Sequence, residues 1–177
     1  MEAIIERVKR AIKLEPGVYA EIGNDPAATQ QSIIVVVVAA LIGGLGTLIG
    51  PGRFGVGSWI ASGLYAVVGL AIGAGVLFLI GRLFKAQGEY INLFRALGFA
   101  YAPQALAIIP ILGGIVGAIW SVVLAIRAVK ETQNVTDGAA AAIVLIPAAI
   151  ALVLVAIAAV LIGFALFGLL GEASSSS

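Results

Sequence analysis

Residues 139–170 read AAAAIVLIPAAIALVLVAIAAVLIGFALFGLL, a run without one charged side chain. A hydrocarbon core about 30 Å thick is crossed by about 20 helical residues, so this stretch is long enough to span it with residues to spare. In lipid the backbone must satisfy its own polar groups, which makes helix the expected conformation. The surplus length has to be absorbed by tilt, by a kink near Pro147 or by projection beyond the bilayer.

Working back from this run, four more apolar stretches stand out: Ile33 to Ile49, Val56 to Ile80, Leu93 to Ile109 and Ile115 to Val129. They are separated by Gly50-Pro51-Gly52, by the polar segment from Arg82 to Asn92, by Pro110 with Gly113-Gly114, and by Lys130 to Asp137. The expected fold is therefore all-α, a polytopic membrane bundle of five transmembrane helices, with spans three and four forming a tight antiparallel hairpin. Composition agrees, with 62% hydrophobic and 11% charged residues, far from the soluble average. The alternation of a membrane β-barrel is absent.

Before the first span, Ile4, Ile5, Val8, Ile12 and Leu14 recur about one helical turn apart, with Glu6, Arg7, Lys9, Arg10 and Lys13 on the other side. That pattern predicts an amphipathic interfacial helix, used either as a lid packed on the bundle or as a lipid-facing anchor. Glu15-Pro16-Gly17 ends it, and Asn24-Asp25-Pro26 starts the next helix, with Asp25 as cap. Residues 1–23 thus read as helix and connector, 24–171 as the five-span domain, and 172–177 as a disordered Ser tail. An amphipathic first segment is unlike a cleavable signal peptide, so the first span is expected to direct targeting.

Of the ten Lys and Arg residues, every one except Arg53 falls on the same side when five spans are threaded with the N-terminus inside. An excess of basic residues marks the cytoplasmic side. The expectation is a multi-pass protein of the cell membrane with its N-terminus cytoplasmic and its C-terminus outside. The Asn134-Val135-Thr136 glycosylation pattern then lies on the cytoplasmic side and is discounted.

The chain has no Cys and no His, which removes disulfides, thiolate metal sites and imidazole bases together. No catalytic residue, metal site or cofactor is expected. A net charge of +1 with basic residues kept to membrane flanks offers no nucleic-acid surface. All nine acids lie in connectors or ends, so no carboxylate is available at membrane depth for ion coupling.

Four features carry candidate roles. Gly69 with Gly73, and Gly113 with Gly117, have the GxxxG spacing that lets helix backbones approach closely, for internal packing or for a homo-oligomer. Tyr101, Pro103 and Gln104 interrupt the third span. Pro103 frees the Phe99 carbonyl, and the neighbouring polar groups are expected either to satisfy a kink or to line a polar site. Arg95 and Arg127 sit near the cytoplasmic ends of their spans, where they snorkel or clamp a lipid phosphate.

The segment Gly98-Phe99-Ala100-Tyr101-Ala102-Pro103 is similar to the Gly-Tyr-Ser-x-x-Pro stretch in the third span of the Yip family, the Ypt/Rab-interacting five-span membrane proteins. Phe99 stands for the tyrosine and Ala100 for the serine. The run from Pro16 through Asp25-Pro26, and the Trp120 to Val129 helix followed by a polar turn and an Ala-rich last span, also resemble the family's short prokaryotic branch. The resemblance implies a non-enzymatic membrane-organising scaffold or adaptor. In eukaryotic relatives that role involves prenylated Rab GTPases and the organisation of Golgi and endoplasmic reticulum membranes. Those relatives carry a longer N-terminal region with an Asp-Leu-Tyr-Gly-Pro type motif that is missing here, so no Rab partner carries over. Membrane lipids are the expected partners, with no protein partner assignable. The alternative is a small permease or channel subunit with a polar site at the interrupted third span.

Overall fold

The computed structural model describes residues 2–49, 56–109 and 111–175, with side chains for 2–46, 56–109 and 111–164. The Gly50-Pro51-Gly52 break, Arg53 and Pro110 lie outside the described residues. Every regular element among the described residues is helical: α1 (Glu2–Ile12), α2 (Val18–Asn24), α3 (Ala28–Ile49), α4 (Val56–Leu83), α5 (Tyr90–Ala100), a 3-10 helix (Ala102–Ile108), α6 (Leu112–Gln133) and α7 (Asp137–Ser175).

Four of these, α3, α4, α6 and α7, are long and apolar enough to cross a membrane. The third expected span is not a single helix but α5 followed by the 3-10 segment. The chain forms two compact units, Met1–Val144 and Leu145–Ser177. The second is the apolar body of α7, which contains Pro147 and runs to Ser175, into the segment read from sequence as a tail.

Local boundaries follow their chemistry. Asp25 Oδ1 accepts the Ala27 N–H at 2.9 Å and the Asp25 carbonyl accepts that of Ala28, which opens α3. Thr136 Oγ1 accepts the Ala139 N–H at 3.3 Å at the start of α7. Asn134, with φ 52°, ends α6 in the left-handed conformation that Asn tolerates.

The core of the first unit gathers around α2 and α5. Tyr19, Ile22, Leu93, Phe99, Leu124 and Ile143 are fully buried there. α1 lies against this core through Ile4, Val8, Ile12 and Leu14, with Ala11 buried and Ile5 exposed. One face of the helix is therefore packed on the bundle, as in the lid arrangement, while Ile5 stays exposed.

One end of the unit is tied together by polar contacts. The Gln87 amide donates to the Gln133 carbonyl at 3.1 Å, and the Gly17 amide donates to Glu131 at 3.3 Å. The start of α5 thus lies beside the end of α6 and the start of α2. The 3-10 segment, in contrast, lies against Gly43 and Gly46 near the far end of α3 and against Gly113 and Gly117 at the start of α6.

Candidate functional site

The interruption of the third span begins before its proline. α5 ends at Ala100, the Tyr101 amide still reaches the Leu97 carbonyl at 3.0 Å, and the Gln104 amide bonds the Tyr101 carbonyl at 3.0 Å in the tighter 3-10 pattern. Pro103 is the second residue of the new helix, where a missing N–H is not needed. The expected proline kink within one helix is thus replaced by a change of helix type. The side chains of Tyr101 and Gln104 do not repair it, since neither makes a hydrogen bond among the described residues.

Glycine backbones hold the 3-10 segment in place. A methyl group added at Gly43 would lie 2.6 Å from the Gln104 carbonyl oxygen, and one at Gly46 2.5 Å from that of Ala107. From the opposite side, a Cβ at Gly117 would lie 2.5 Å from the Pro103 oxygen and one at Gly113 1.8 Å from that of Leu106. Only glycine admits carbonyls at these distances, and its Cα–H groups present weak donors to them. The Gly113 and Gly117 spacing therefore serves internal packing. Gly69 and Gly73 differ, because a Cβ there meets nothing within 4 Å.

Two cavities flank the segment. The larger, about 640 Å³, lies between α3, α4 and the 3-10 helix, and Gly43, Ser62, Tyr65 and Gly69 contribute to its wall. The smaller, about 320 Å³, lies between α4, α5 and α6, with Gly73 and Ser121 in its wall. Leu70, Tyr101 and Gln104 line both, and among the described residues no charged one lines either. Among the described residues Ser121 Oγ is buried with no hydrogen-bond partner.

Arg95 and Arg127 belong to a different layer. Arg95 Nε donates to Thr29 Oγ1 at 2.8 Å and Nη1 to the Gly23 carbonyl at 2.8 Å, while its own carbonyl accepts from Ser32 Oγ at 2.6 Å. Its guanidinium clamps the α2–α3 junction rather than reaching outward. Arg127 pairs with Glu131 at 3.4 Å. Glu131 also accepts the amides of Gly17, Tyr19 and Ala20, capping α2 from a distant helix. Burial, with Glu131 nearby, raises the Tyr19 hydroxyl well above its ordinary pKa, and that hydroxyl donates to the Ala11 carbonyl. Sequence reasoning missed Glu131, whose only local sign is its i,i+4 spacing to Arg127.

α1 adds a second surface. Arg7 pairs with Asp25, and Arg10 with Glu15 and Glu21, which fastens the helix to α2 and its connectors. The Arg7 side chain, helped by the Ala27 amide, holds the Asp25 carboxyl below the usual carboxylate range. Among the described residues Lys9 and Lys13 enter no ion pair. Beneath α1 runs an apolar groove of about 410 Å³, walled by Ile4, Ile5 and Val8 on one side and Ile34, Val38 and Ile42 on the other, with Lys9 also lining it.

No curated protein and no solved structure matches the chain. The model of the Yip1 domain family matches residues 14–160, a stretch that begins two residues after α1 and includes α2, the broken third span and its glycine cradle. With most of its length matched, this all-helical chain with four membrane-length apolar helices belongs to the Yip1 family, as an integral membrane protein.

Proposed function

We propose that this Yip1-family protein is a non-enzymatic membrane organiser that holds anionic lipid at the cytoplasmic face, under and beside α1. The observation that carries this reading is the apolar groove between α1 and α3 with Lys9 in its wall. An acyl chain fits a slot lined by Ile, Val and Ala beside a membrane-length helix. The unpaired Lys9 and Lys13 supply attraction for an anionic headgroup, about 1 kcal/mol per basic residue near such a surface.

We infer five crossings with the N-terminus inside, a topology that agrees with this placement. α5 starts beside the end of α6, and its 3-10 continuation lies near the opposite ends of α3 and α6. A broken helix buried against glycine backbones is tolerated at membrane depth, since its polar groups are shielded by protein. The basic residues concentrate on the side where α1 lies.

The test is the lipid content of the full chain extracted with its surrounding membrane into detergent-free discs. Anionic lipid is expected above its bulk share, and the paired substitution Lys9→Ala with Lys13→Ala is expected to return it to bulk. A wild-type disc with bulk composition overturns the reading. A small permease is the second reading, favoured by the two cavities that meet at Gln104. Flux of a neutral solute into vesicles bearing the full chain, abolished by Gln104→Leu, is its test.

A further inference from the structure

The two cavities at the broken third span, independent of the groove under α1, ask for a ligand of a different kind. Gln104 and Tyr101 line both cavities, and among the described residues neither side chain makes a hydrogen bond. Ser121, whose Oγ is buried with no hydrogen-bond partner among the described residues, belongs to the wall of the smaller cavity. The level in the bilayer follows from α3. The Gln104 carbonyl lies against Gly43, fifteen residues beyond Ala28, which at 1.5 Å per residue is about 22 Å along the helix from its first residue. A polar amide left without a partner in an apolar medium costs several kcal/mol, so a ligand that brings a hydrogen-bonding group to this level is favoured.

The walls restrict what that partner is. Among the described residues no Lys, Arg, Asp or Glu lines either cavity, so none of them compensates a charged group there, which disfavours a phosphate headgroup. The rest of the lining is Ala, Gly, Leu and Val with a few hydroxyls, and the volumes lie in the range of about 300–1,000 Å³ typical of small-molecule sites. We infer that the cavities flanking Tyr101 and Gln104 bind an uncharged amphiphile, an acyl or isoprenoid chain carrying one neutral hydrogen-bonding group such as an ester carbonyl or a hydroxyl. The Gln104 amide and the Tyr101 hydroxyl meet that group, and the chain lies along the small residues of α3 and α4. Entry is lateral, from the membrane, between α3 and α4 where Tyr65 is 73% exposed.

The experiment uses the full chain in phosphatidylcholine nanodiscs with a diazirine-bearing diacylglycerol as probe and an equally labelled phosphatidylglycerol as control. Labelling by the neutral probe is expected on peptides from α3, α4 and the 3-10 segment. Tyr101→Phe, which keeps the ring, and Gln104→Leu are each expected to weaken it about three- to tenfold, the effect of one hydrogen bond. Gly69→Leu, placed where an added Cβ meets nothing within 4 Å, is expected to abolish it by filling the larger cavity without lowering the melting temperature. Equal labelling by the anionic control, or labelling insensitive to both Gly69→Leu and Tyr101→Phe, would each overturn the inference.

Discussion

The carboxylate of Glu131 accepts the backbone N–H of Tyr19 at 3.0 Å, joining the end of α6 to the start of a helix 112 residues earlier in the chain. Gly17, at φ 80°, has no side chain with which to cap that helix, so Glu131 supplies the cap in trans. Glu131→Ala is expected to cost about 1–2 kcal/mol, the upper part of the range for a lost cap. Hydrogen exchange should show the loss first in Val18–Asn24, with α4 unaffected. Glu131→Gln keeps the acceptor oxygens in part and should fall between the two.

Much of this architecture was legible in the linear chain because hydropathy alone determines it. The cap at Asp25 and the start of α7 after Thr136 fall where composition and capping chemistry placed them. The third span was harder. Residues 93–109 are as apolar as their neighbours, and whether Pro103 kinks a helix or opens a 3-10 segment depends on Gly43, Gly46, Gly113 and Gly117 arriving from two other helices. Arg95 illustrates the same limit. Its position near a helix end suggests snorkelling, yet its partners, Thr29 and the Gly23 carbonyl, come from a short helix whose packing no local pattern reveals.

Acid should release α1. With the native Asp25 value below the ordinary carboxylate value of about 3.9, its pairing with Arg7 contributes fully above that value and is lost as pH falls through the lowered native one. Trp120 reports the event, since its indole N–H donates to the Ile12 carbonyl at 3.3 Å. In a Trp59→Phe background, Trp120 emission is expected to shift as pH drops below about 4. Asp25→Asn should remove that component of the transition. An identical acid profile in both proteins would exclude Asp25 as its source.

The glycines should divide into two classes on substitution. Gly117→Ala drives a methyl group into the Pro103 carbonyl and is expected to destabilise by about 1–3 kcal/mol, and Gly113→Ala by at least as much because its clash is tighter. Gly69→Ala and Gly73→Ala add a methyl group in open space and gain helix propensity, up to about 1 kcal/mol each. Thermal unfolding of the four variants in one detergent checks the split. A fall at Gly69 or Gly73 equal to that at Gly117 would mean that another chain packs on α4.

Crossing number is decided by one position. The chain has no cysteine, so single substitutions can be labelled from either side without background. Lys13→Cys and Gln87→Cys lie on the cytoplasmic side in the proposed topology and Arg53→Cys on the other. Gly138→Cys, exposed at the start of α7, separates the alternatives. If α5 and the 3-10 segment together cross the bilayer, residue 138 lies on the same side as residue 13. Should the pair fold back instead, α6 becomes the third crossing and residue 138 moves to the side of residue 53. The hydrogen bond from the Gln87 amide to the Gln133 carbonyl favours the first outcome, because it holds the α4–α5 connector against the last residue of α6, four positions before α7 begins. A membrane-impermeant maleimide applied to intact cells is expected to label position 53 and spare 13, 87 and 138; labelling of 138 together with 53 would reduce the bundle to four crossings.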